Sequence, residues 1–132
     1  MGFYNWEDFP RKQNIRKGTW VRVVSTKGLT VQRGRIDPGT QFDGGRHRHS
    51  EEQIILMLEG KFLLRLEDEE QWLEPGDLCA IPAGAFHGGM DVGPEGASYF
   101  EVLAPGKIDY LTGYVGPPGR EFRGPDSGEK TG

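Results

Sequence analysis

The chain is sparing with the residues that cross-link proteins or bind metals: one cysteine, Cys79, and three histidines among 132 residues. A single thiol excludes an intramolecular disulfide framework and fits a reducing, cytoplasmic setting. No apolar run approaches the ~20 residues of a membrane helix, and Met1–Pro10 lacks the apolar stretch of a signal peptide. There is no Lys/Arg stripe either. The formal charge of −4 is spread over interspersed acids and bases, which argues against nucleic acid or a membrane as a partner. Also missing is any helix-length stretch with a clean helical period.

What the chain has in abundance is glycine, 21 residues, with 9 prolines. They fall in short turn-like clusters without a repeat period, the composition of a β-sandwich or barrel. Strand-like alternation runs through Thr19–Ser25, Leu29–Ile36, Gln53–Leu58 (ended by Gly60), Lys61–Glu67, Gln71–Glu74, Leu78–Ile81 and Ala97–Ala104. Ile108–Val115 adds a possible edge strand, and Glu7–Lys17 a short turn. The connections are short, so the strands are expected to pair antiparallel. The reading is an all-β, single-domain barrel over residues 18–115, with an N-terminal arm, 1–17, and a Gly/Pro-rich, flexible tail, 116–132.

The histidines concentrate the chemistry. His47 and His49 stand at i, i+2, which on an extended strand puts both imidazoles on one face, close enough to share an ion. His87 follows a strand and a Pro-x-Gly turn that throws it back onto the barrel.

Two stretches complete a pattern: G-x-H-x-H-x(3)-Q-x(6)-G from Gly45 to Gly60, and G-x(5)-P-x-G-x(2)-H from Gly76 to His87. Together they resemble the two motifs of the cupin family, whose fold is a double-stranded β-helix or jelly-roll barrel. The resemblance implies one divalent metal ion, Zn, Ni, Fe or Mn, on His47, His49, Gln53 and His87. Gln53 stands where the commoner pattern has glutamate, and Glu51 and Glu52 are near enough to compete for that place. Asp91 stands where the second motif often has asparagine. Neutral ligands leave the ion's charge uncompensated, which favours an anionic or carbonyl-containing small substrate.

Among small cupins the glutamine-containing ligand set is similar to the pectin-degradation family that linearises unsaturated uronates. Its last-strand run, like D-x-F-S-P-x-R, corresponds here to Glu101-Val102-Leu103-Ala104-Pro105-Gly106-Lys107. The resemblance implies Glu101 as acid/base residue and Lys107 as contact for a substrate carboxylate. By period 2, an inward Glu101 brings Tyr99 and Leu103 with it; the opposite parity would put it outside. Arg35, sharing a strand face with Arg33, either clamps an acidic substrate or lies on the solvated exterior. Phe42, Met57, Phe86 and Met90 are candidate pocket walls that would serve equally as core. The implied activity is proton transfer of isomerase, lyase or cyclase type. Its rivals are Fe(II) dioxygenase chemistry and non-catalytic sugar or effector binding. Two spare arms and an exposed strand edge make a homodimer the expected assembly.

Overall fold

The computed structural model describes residues 2–117, 119–124 and 128–130. Among them run β1 (Lys12–Gln13), β2 (Thr19–Ser25), β3 (Thr30–Ile36), β4 (Arg46–Arg48), β5 (Glu52–Leu66), β6 (Glu69–Leu73), β7 (Leu78–Ile81), β8 (His87–Ala104), β9 (Glu121–Gly124) and β10 (Gly128–Lys130). Every strand pair is antiparallel, in the order β1-β2-β3-β8-β4-β9-β10, with β5 joining β6, β7 and β8. The sheet curls on itself into the expected jelly-roll barrel.

Closure depends on the two longest strands. The first half of β5 pairs with the second half of β8, from Glu52↔Ala104 to Gly60↔Ala97. Its second half pairs with the start of β8, from Phe62↔Val92 to Leu66↔His87. Gly60 therefore does not end a strand, as its neighbours in sequence imply. It is a corner inside one, at φ 69°, facing Gly96 at φ 76°. A Cβ on Gly60 would lie 1.9 Å from the Gly96 carbonyl oxygen, so the two backbones meet where only glycine fits.

Side chains alternate cleanly where the barrel wall is one layer thick. On β5, Gln53, Ile55 and Met57 point in while Glu52, Ile54 and Leu56 point out. The larger core cluster gathers Ile36, Ile55, Met57, Phe62, Leu64, Leu73, Ile81, Ala97 and Tyr99. A smaller one gathers Val21, Val23, Leu103 and Tyr110. Between the two, polar side chains line the interior.

Both arms fold back onto the barrel. In the N-terminal arm a 3-10 turn, Trp6–Asp8, is capped by Asn5, and β1 pairs with β2. Trp6 packs 5.9 Å from the Phe100 ring, and Arg22 donates to the Phe9 carbonyl and pairs with Glu7 at 3.1 Å. The segment expected to form an edge strand instead makes a 3-10 turn, Ile108–Tyr110. Tyr110 is pulled inward to pack on Val21 and Leu103, which an edge strand would not allow. The expected flexible tail contributes β9, which pairs with β4 in the register His47↔Phe122. Residues 118, 125–127 and 131–132 of that tail lie outside the described residues.

Candidate metal centre

Two strands and the segment that follows the first bring the histidines together. His47 lies on β4, His49 just beyond it, and His87 opens β8, directly across from His47 in the ladder. Their rings converge at centroid distances of 4.4 Å (His47–His87), 5.1 Å (His49–His87) and 5.8 Å (His47–His49). One nitrogen of each lies within 4.8 Å of the others. All three are buried.

The outer nitrogens fix which lone pairs point inward. His49 Nδ1 donates to the Glu51 carbonyl at 3.1 Å, and His87 Nδ1 donates to the Ala85 carbonyl at 2.9 Å. That leaves Nε2 of each as an acceptor aimed at the centre. His87 Nε2 is buried with no hydrogen-bond partner. His49 Nε2 faces the Gln53 Oε1 at 2.9 Å, while the other end of the amide donates to the Glu101 carboxylate. Two acceptors set against each other at this distance repel unless a cation lies between them. An orphaned acceptor and an opposed acceptor pair are what a divalent ion would satisfy, so the residues present fit one.

Electrostatics agree. Burial, with the nearby His87, Arg120, His49 and Arg16, drives His47 well below its ordinary pKa. Burial and the Lys107 charge lower His49, and burial brings His87 down to about 4. At neutral pH all three rings are neutral, the form that ligates.

The cavity beside the histidines, about 70 Å³, is lined by Gln32, Phe42, Gln53, Tyr99, Glu101 and Tyr110 among others. Gly34 leaves the room that the Tyr99 ring needs, since a Cβ there would sit 2.3 Å from it. Glu101 points inward between the two core clusters. Burial raises its pKa to about 7, against the opposing pull of Arg120. Glu52 is exposed, and Glu51 stands behind His49 with its Oε1 3.7 Å from Nδ1. Of the three neighbouring side chains that compete for the fourth ligand place, only Gln53 reaches the cavity.

Several expected contacts are placed elsewhere. Lys107 is buried, and its amine is used up on the Gly119 carbonyl at 2.7 Å, Asp109 at 3.1 Å and Glu51 at 3.4 Å. It holds a loop together where a substrate contact was expected. Arg35 lies outside the barrel, donating to Ser98 and to the Glu95 carbonyl, because β3 turns its odd-numbered side chains outward. Leu103 and Met57 point inward but are packed in the two core clusters. Phe86 lies beneath Arg48 and Arg123, and Met90 is half-buried away from the cavity. Arg16, Tyr110 and Arg120 join the lining without any motif to announce them.

Known proteins place this architecture. The structure resembles KdgF from a Halomonas species, with TM-score 0.70 and 24% identity over 83% of this chain and 100% of that one. An RmlC-like cupin from Shewanella frigidimarina matches with TM-score 0.71 and 21% identity, over 84% and 96% of the two chains. A variant of oxalate decarboxylase from Bacillus subtilis matches with TM-score 0.64 and 23% identity, over 78% of this chain and 29% of that longer one. A comparison with curated proteins finds no match. The cupin-domain family model matches residues 32–103, more than half of the sequence and the stretch that carries all three histidines, and the chain accordingly belongs to the cupin family.

Proposed function

We propose that this cupin is a metal-dependent enzyme that moves a proton on a small, oxygenated, anionic substrate, in an isomerase or lyase type of reaction. The observation that carries the reading is a carboxylic acid, Glu101, buried inside the barrel and tied through Gln53 to the three-histidine cluster.

His47, His49, His87 and Gln53 would hold the ion, which when bound supplies a Lewis acid for a carbonyl or hydroxyl oxygen of the substrate. Glu101 takes and returns the proton: in the metal-free fold burial raises its carboxyl to about 7, and the positive charge of a bound ion would favour the ionised form that acts as the base. The Gln53 amide fixes the distance between base and ligand cluster by donating to Glu101 and turning its oxygen to His49. Phe42 and Tyr99 supply aromatic walls to the cavity. The likeness to KdgF and the resemblance to uronate-linearising cupins support a hydroxy-carbonyl or uronate-like substrate.

The deciding experiment pairs elemental analysis with turnover on unsaturated uronates and small hydroxy-carbonyl acids, with oxygen uptake recorded. Glu101→Gln is expected to keep its metal and lose roughly a hundredfold or more in kcat, the usual size of a general-base contribution. Full activity in that variant would sink the mechanism. Iron-dependent oxygen uptake by the wild type would replace it with dioxygenase chemistry.

A further inference from the structure

The cavity holds more positive charge than the ligand cluster and Glu101 account for. Arg120, in the segment leading into β9, lines it with its guanidinium stacked 4.5 Å from the Tyr110 ring and 5.5 Å from the Phe122 ring. Its Nε is buried without a hydrogen-bond partner, and among the described residues Arg120 forms no salt bridge. Arg16 reaches the same cavity from the N-terminal arm, over the Phe42 ring at 4.9 Å and 3.8 Å from Asp43.

Arg16 is already offset by Asp43 at 3.8 Å, whereas Arg120 has no ion-pair partner among the described residues, and a divalent ion beside it would add to the cost of leaving that charge unmatched. A negative ligand between them reverses the sign of the interaction. Its position over the Tyr110 and Phe122 rings holds Arg120 in place while its Nε–H stays unpartnered, leaving a donor fork for a carboxylate. Lys107, the contact expected from the sequence, has no donor to spare.

We infer that Arg120 is the carboxylate-binding residue of this site, assisted by Arg16, and that the ligand is a hydroxy- or keto-carboxylate. This rests on the anionic-substrate reading above and narrows it. The acid group lies between the two arms, and the adjoining hydroxyl or carbonyl faces the histidines and Glu101. Arg120 binds and orients; it transfers nothing.

Calorimetric titration of the metal-loaded protein with glycolate and with its uncharged counterpart glycolamide tests this. The wild type should prefer glycolate. Arg120→Ala should weaken glycolate roughly tenfold or more, as expected for a lost charge-assisted fork, and leave glycolamide affinity and metal content unchanged. Arg120→Lys keeps length and charge but loses the fork, and should weaken glycolate as well. Wild-type glycolate affinity in either variant, or no preference for glycolate in the wild type, would overturn the assignment. Affinity is read without turnover, so the two readings fail separately. Arg120-dependent glycolate binding in a protein whose Glu101→Gln variant stays fully active removes the mechanism and keeps the carboxylate site.

Discussion

At the scale of single residues, the histidine cluster sets a sharp pH signature. His87 has an ordinary value near 6.5 when unfolded and about 4 in the metal-free fold, where its burial outweighs the Ala85 carbonyl bond. Because the folded value is the lower one, the unfolded chain takes up the proton first as pH falls. The metal-free protein should therefore lose stability from pH 6.5 down to about 4, by up to roughly 3 kcal/mol from this ring alone. Glu101 acts in the opposite sense: its folded value is raised to about 7, so its contribution is present at low pH and lost as pH rises through 7. Nuclear magnetic resonance of the His87 ring should give a midpoint near 4, and a midpoint near 6.5 would show that the ring is solvated. The histidines were legible because the i, i+2 pair and the Pro-x-Gly turn before His87 fall together in one pair of motifs. Arg120 and the engagement of Lys107 were not. Their roles depend on where a tail returns in space, and local spacing carries no record of that.

At the scale of elements, the fold turns on places where one strand serves two neighbours. Period-2 alternation revealed β2, β3 and the first half of β5, since each has one face on the core. It divided β5 into two strands because Gly60 reads as a stop when only the chain around it is visible. Its actual constraint comes from Gly96, a contact distant in sequence. Gly60→Ala is accordingly expected to destabilise by more than about 1 kcal/mol, since the position combines positive φ with a backbone clash. Denaturant unfolding measures this, and an unchanged midpoint would show that the corner relaxes freely. The β9 strand escaped notice for a different reason. Its four residues, Glu121–Gly124, have too little apolar surface to signal a strand, and they are ordered by hydrogen bonds to β4.

For the whole molecule, the outer face of the β5–β7 pair leaves Ile54, Leu56 and Leu78 exposed, at 42%, 37% and 58%. The register sets Ile54 opposite Ala80 and Leu56 opposite Leu78, so these side chains form one apolar strip. We propose that a second copy of the chain covers it, since a two-fold pairing of sheet faces buries the same strip on both partners. Light scattering should then read twice the 14.7 kDa of one chain. The double substitution Leu56→Glu with Leu78→Glu should return the monomer mass, and a wild-type protein already at that mass would refute the pairing.

The position of β4 also bears on how the protein is made. This three-residue strand carries His47, and both of its ladder neighbours, β8 and β9, follow it in the chain. During synthesis His47 and His49 emerge with nothing to pair against until those later strands are available. Nascent chains therefore present two loose imidazoles rather than a preorganised trap for ions. An ion held by this cluster would accordingly be loaded by the finished polypeptide, and would be the one available where folding is completed.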